Sequence, residues 1–180
     1  MATHKLLSIS GSLRKGSHNS LLLAEAARLF GDADYTEADL NLPLYNGDDE
    51  EAHGVPAAVD ALAQQIADAD AVLISTPEYN KGPSGVLKNA LDWVSRSEVK
   101  PWGGKPVAVM SAAAGRAGGE RAQMILRGFM VPFRPHILQG PEIHVAASYE
   151  AFDENGQLTG EMYVKELTAL MDGLRAAIKA

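Results

Sequence analysis

Short apolar runs alternate with helix-period patterns from one end of this 180-residue chain to the other. Residues 5–10, KLLSIS, read as a buried strand, and residues 19–30 as a helix with Leu22, Ala26 and Leu29 on one face. Residues 34–40 form a weaker strand, followed by a turn-rich loop, NLPLYNGDDEEAHG. Residues 56–67 are helical, with Pro56 suited to the first turn. DAVLIST, residues 70–76, is the clearest central strand, because its apolar residues are nearly continuous, as burial on both faces requires. A helix over 84–95, a strand over 105–112 and a helix over 118–129 follow. HILQGPEIHVA supplies a fifth strand that Gly140-Pro141 interrupts, since proline cannot pair within a central strand. The turn DENGQLTG leads into a last helix over 161–179.

Strands that alternate with helices fold into a parallel sheet covered on both faces through right-handed crossovers. No repeat or linker divides the chain, so residues 1–180 are expected to form a single doubly wound α/β domain. Ligands of such sheets bind beyond the carboxyl ends of the strands, near the point where strand order reverses. Function is therefore expected in the loops after strands one, three and four. A net charge of -7 argues against general nucleic-acid binding, and no apolar stretch is long enough for membrane insertion. The lack of cysteine removes disulfide and thiolate chemistry. With no leader-like pattern at MATH, a cytoplasmic location is expected.

The first loop, SGSLRKGSHNS, collects hydroxyls, two glycines and two basic residues without a single acid. A helix N-terminus offers unpaired amides and partial positive charge, which favour an anion. Ser10, Ser12, Ser17, Asn19 and Ser20 are donors for phosphate oxygens, and Arg14 adds a charged fork. The G-K-[ST] ending of a P-loop is missing, as is G-x-G-x-x-G, so a terminal monophosphate bound without metal suits the loop best. The competing reading makes Ser17 or Asn19 a plain helix cap in a solvated loop. His18 either assists the phosphate or is a bystander.

The second loop lies within STPEYNKGPSGVLKNALDW, where Pro77 ends the strand and Tyr79 and Asn80 sit above the sheet edge. An aromatic, an amide and exposed backbone suit a planar heteroaromatic ring, although a Tyr-Asn pair in a turn is commonly structural. Glu78 reads as an ion-pair or capping carboxylate rather than a catalyst. The third loop, SAAAGRAGGERA, leaves space beside a flat ligand. Its Arg116 and Arg121 either meet a second phosphate-bearing substrate or are solvated. The histidines never fall at a metal-ligand spacing, and no G-x-S-x-G elbow is present. Chemistry is then left to a bound organic cofactor.

Together GSLRKGSHNS, TPEYNKGPSGVLKNALDW and GKPVAVMSAAAG resemble the NAD(P)H-dependent FMN reductase family, whose flavodoxin-like members include quinone, chromate and azo-dye reductases. The resemblance implies a flavodoxin-like three-layer sandwich, with a five-stranded parallel sheet in the order 2-1-3-4-5 and helices on both faces. It implies FMN at the strand ends and NAD(P)H as co-substrate. Ser10, Ser12, Arg14, Ser17, Asn19 and Ser20 would then lie about the phosphate. Pro77, Glu78, Tyr79, Asn80 and Lys81 would pass along the isoalloxazine, and Ser111 to Gly115 would close its pyrimidine side. The implied reaction is ping-pong: hydride passes from the nicotinamide through the flavin to a quinone, a free flavin or a similar small acceptor. No side chain need be catalytic. A homodimer or homotetramer is implied as well. Two alternatives stand beside this reading, a flavodoxin-type electron carrier and a nucleotide-sensing module without turnover.

Overall fold

The computed structural model describes residues 3–178. Its parallel sheet has the path β2-β1-β3-β4-β5, with β6 also paired to β4. The strands are β1 (His4–Ser10), β2 (Ala33–Glu37), β3 (Ala71–Ser75), β4 (Pro106–Ala112), β5 (His136–Ile137) and β6 (Ile143–Val145). The helices are α1 (His18–Phe30), α2 (Gly47–His53), α3 (Ala57–Asp68), α4 (Gly85–Arg96), α5 (Glu120–Met130) and α6 (Glu161–Ala177). Helices α1 and α6 cover one face through Leu22, Leu23, Leu167 and Leu174, against Leu6, Leu73 and Met110. Helices α3, α4 and α5 cover the other through Leu62, Ile66, Leu87, Leu91 and Leu126, against Leu7, Ile74 and Val109. All five residues of β3 are buried, which is why that strand is apolar throughout. This is the flavodoxin-like sandwich and strand order that the sequence led one to expect.

Two elements differ from the sequence reading. The fifth strand is two strands, β5 and β6, on the same side of β4. Between their pairings β4 advances three residues, from Val107 to Met110, while its neighbour advances six, from Ile137 to Ile143. The excess loops out around Gly140-Pro141, where a proline has no amide for the ladder. The second difference is α2, which lies in a stretch read as loop. Asn46 caps it by accepting from the Asp48 amide, and Asp48, Asp49 and Glu50 occupy its positively polarised first turn. It buries no residue and so carries no apolar stripe to detect. The last helix is described to Ala177; Lys179, where the sequence pattern ends, lies outside the described residues.

Candidate functional site: a cleft at four strand ends

Strands β1, β3, β4 and β6 end side by side, and the loops that follow them enclose a cleft of about 330 Å³. Seven of the residues singled out in the sequence line it: Ser12, Arg14, Ser17, Asn19, Pro77, Glu78 and Tyr79. Ala112, Ala113 and Ala114 form another wall, and His18, Ser148 and Tyr149 complete it. Ser10, Ser20, Asn80, Lys81, Ser111 and Gly115 are not part of this lining.

The first loop separates into residues that build it and residues left open. Gly11 anchors it by donating to the Ser75 carbonyl at 2.8 Å; a Cβ there would come within 3.0 Å of both the Ser84 and Thr76 hydroxyls. Ser17 is the N-cap of α1 and accepts from the Asn19 and Ser20 amides. Ser20 Oγ donates to Ser10 Oγ at 3.0 Å, which ties the helix start to the end of β1. Asn19 is 3% exposed, and its side chain makes three hydrogen bonds. Its Nδ2 donates to the Ala112 carbonyl at 2.9 Å. Its Oδ1 accepts from the Ser75 hydroxyl and the Ala112 amide at 2.8 and 3.0 Å. Asn19 therefore locks α1 onto the ends of β3 and β4, and the second hydrogen on its Nδ2 has no partner among the described residues.

What remains open is a ring of donors. The amides of Leu13, Lys15, Gly16 and His18 find no acceptor among the described residues. Arg14 and Lys15 are exposed and make no ion pair among the described residues. His18 Nδ1 lies 3.0 Å from Ser148 Oγ, and the imidazole stacks on Phe152 with ring centroids 5.9 Å apart. An anion at this N-terminus meets unpaired amides, the helix dipole and fixed positive charge together.

Across the cleft, Tyr79 and Gly82 exchange backbone hydrogen bonds of 2.9 and 3.0 Å. The turn between them holds Asn80 and Lys81 at φ +49° and +70°. Both central residues are left-handed, as in the hairpin turns that favour Asn-Gly, so Lys81 is strained. The turn leaves Tyr79 57% exposed at the rim. Glu78 faces the other way: its carboxylate accepts from the Ala122 amide at 3.3 Å, at the start of α5. Its charge serves that helix N-terminus, the capping role read in the sequence, and lies 3.8 Å from the Lys81 ammonium.

The third loop is fixed from below. Ser111 is fully buried, donates to the Gly118 carbonyl at 2.6 Å and accepts from Gln123 Nε2 at 2.8 Å. Gly118 and Gly119 have φ +59° and +96°; a Cβ on Gly118 would lie 2.4 Å from the His144 carbonyl. The loop thus packs flat on β6, and Ala113 and Ala114 leave its upper surface free of bulk. Arg116 and Arg121 are exposed. Ser148 and Tyr149 were not singled out in the sequence. They follow the second half of the split fifth strand, and the strand-end rule extended to that strand points to them.

A donor ring at one end and a shallow slot between an aromatic turn and three alanines suit a mononucleotide. The phosphate matches the amides, and the flat ring matches the slot.

The pattern of the NADPH-dependent FMN reductase family matches residues 4–150. The chain is 46% identical over 172 residues to a Pseudomonas aeruginosa protein named NAD(P)H-dependent FMN reductase, covering 92% of each. It is 40% identical over 141 residues to the quinone reductase of Escherichia coli, covering 77% of this chain and 75% of that one. The solved structure of the flavoenzyme NAD(P)H:(acceptor) oxidoreductase FerB from Paracoccus denitrificans superimposes with a TM-score of 0.87. Its identity is 32%, and 98% of this chain and 97% of that one are covered. An archaeal flavodoxin, 10% identical with a TM-score of 0.64 over 98% of this chain and 99% of its own, shares the fold. On these grounds the chain belongs to the NADPH-dependent FMN reductase family.

Proposed function

We propose that this protein is an NAD(P)H-dependent oxidoreductase that carries FMN in the cleft and reduces quinones or similar small acceptors. The observation that carries this reading is a loop whose Leu13, Lys15, Gly16 and His18 amides have no acceptor among the described residues, and whose Ser12, Arg14, Ser17 and His18 line an open cleft, in a chain of this family. When bound, FMN supplies the two-electron chemistry, accepting hydride from the nicotinamide and passing it to the acceptor.

The chain's own residues position and exclude. The amides of Leu13, Lys15, Gly16 and His18, with Ser12 and Arg14, hold the phosphate, and Asn19 keeps those amides fixed by locking α1 to β3 and β4. Pro77, Glu78 and Tyr79 border the ring on one side, and Ala112 to Ala114 with Ser148 border it on the other. Backbone donors there favour negative charge on a reduced ring. Tyr79 and Tyr149, exposed at opposite rims, leave the outer face accessible to both nicotinamide and acceptor in turn. No side chain in the cleft is required to form a bond.

Assembly of the chain as a homodimer or homotetramer is part of the proposal, and size-exclusion chromatography with light scattering tests it. Its need for NAD(P)H supports a cytoplasmic location. Among the described residues no helix is long and apolar enough to cross a membrane. Anaerobic titration of the FMN-loaded protein is the direct test. NADPH or NADH should bleach the visible flavin absorbance, and a quinone should restore it over many turnovers. A flavin band that neither nucleotide bleaches overturns the proposal.

A further inference from the structure

A second cavity, of about 370 Å³, lies at the opposite end of the sheet from the cleft. Its walls come from the end of α4, the segment before β4 and the segment after α5. The cleft lies beyond Ala112 and this cavity near the start of the same strand at Pro106, so β4 alone separates them by about 20 Å. The cavity takes no part in the site described above.

Its lining has an unusual polarity. Pro101, Trp102, Pro132 and Phe133 make it apolar, with the rings of Trp102 and Phe133 6.3 Å apart and inclined at 50°. Trp102 is only 2% exposed, and its indole N–H has no acceptor. Indole nitrogens buried in proteins ordinarily find one. Two cations, Lys100 and Arg134, border the cavity, and none of the residues lining it is acidic. Three of the lining carbonyls are already engaged. Ser95 accepts from Lys100 Nζ, Trp102 from the Lys105 amide, and Arg134 from the Gly104 amide. Lys100 Nζ is spent on the Ser95 and Ser97 carbonyls, which leaves the Arg134 guanidinium as the charged donor of the cavity without an acceptor among the described residues.

Arg134 adds an independent observation. Its backbone is left-handed, φ +55° and ψ +43°, a conformation that favours glycine or asparagine. The exposed guanidinium makes no ion pair among the described residues. An arginine kept at a position whose backbone prefers another residue, beside an apolar cavity, points to a use for its side chain.

We propose that this cavity is a second ligand site that takes a small planar aromatic carboxylate. The ring lies against Trp102 and Phe133, and the carboxylate is held by Arg134 with Lys100 behind it. Charge complementarity selects the anion, and the paired aromatic walls select the flat ring. The volume is within the range of sites for small organic ligands.

The probe is 1-naphthoate, titrated calorimetrically into the FMN-loaded protein while the flavin absorbance is followed, because binding over the open flavin face perturbs that spectrum and binding in the second cavity does not. Saturable binding of one equivalent is expected, with at least tenfold weaker binding of the neutral analogue 1-naphthalenemethanol. Arg134→Asn keeps a residue suited to the left-handed backbone and should weaken naphthoate binding about tenfold. Trp102→Phe keeps an aromatic wall without the N–H and should weaken it severalfold. Thermal melting of both variants verifies that they are folded. No saturable heat at millimolar naphthoate overturns the proposal, as does equal affinity in wild type and both variants. Binding that occurs only in FMN-free protein overturns it too, because it places the probe in the cleft; none of these results bears on the flavin reading, which rests on the bleaching titration.

Discussion

Asn19 carries more of the site's architecture than any other polar residue of the first loop, through three buried hydrogen bonds. Its side chain hydrogen-bonds the helix that presents the donor amides to the two strands beneath them. Asn19→Ala leaves the Ser75 hydroxyl and both polar groups of Ala112 without partners in a buried setting. A loss of at least about 2 kcal/mol in urea unfolding is expected, since each orphaned buried group costs about 1–3 kcal/mol. Lys81 is the opposite case, a residue under strain at φ +70°. Lys81→Gly converts the turn to Asn-Gly and should raise stability by up to about 1 kcal/mol. Relief of the left-handed strain is partly offset by the freer unfolded chain. The ion pair it removes, 3.8 Å long with Lys81 largely exposed, contributes little against that. Arg14, exposed and unpaired, is expected to act on the ligand alone: Arg14→Ala should weaken FMN binding about tenfold in a fluorescence titration, with little change in stability.

At the scale of elements, α2 shows how a helix without a buried face is kept. Pro43 offers its carbonyl to both Asn89 Nδ2 and Trp93 Nε1, at 2.9 and 2.8 Å, and the Tyr45 amide donates to Asn89 Oδ1. Tyr45 packs edge-on against Trp93, and its hydroxyl donates to Glu50 at 3.0 Å. Arg96, at the end of α4, donates to both Glu50 oxygens, and this hydrogen bonding holds the Glu50 carboxyl below the usual carboxylate range. A carboxyl with a depressed folded pKa stabilises fully above its unfolded value, and that contribution disappears as pH falls through the folded value. Amide exchange over residues 47–53, corrected for its intrinsic pH dependence, should therefore accelerate on acidification. In Glu50→Gln it should be faster at neutral pH and lose that acid dependence. The connection is strapped to α4, so Leu44 is presented to solvent on an ordered segment.

For the whole molecule, parallel strands that end together bring loops remote in sequence to one place. FMN that binds the folded state alone must stabilise it, by about 2.7 kcal/mol at a hundredfold excess over the dissociation constant. For a chain of this length that raises the melting temperature by roughly 5–10 °C, and Arg14→Ala should reduce the rise at the same FMN concentration. The alternation of apolar runs, the glycine- and hydroxyl-rich first loop and the turn-rich second loop were legible in the chain itself. They were legible because backbone periodicity, helix capping and strand burial are local consequences of residue order. Seven of the thirteen residues singled out line the cleft. The sequence alone did not separate donors that face a ligand from donors that hold the loop together. That division arises from Asn19 meeting Ala112 across 93 positions and Ser75 across 56, and from Glu78 meeting Ala122 across 44. Nor did it reveal Ser148 beside His18, because that depends on which strand ends become neighbours, whereas the break in the fifth strand was legible at Gly140-Pro141. Residue order thus determined the layered sheet and the end at which its loops gather into a cleft; only tertiary packing decided which polar groups are spent on the fold and which stay free.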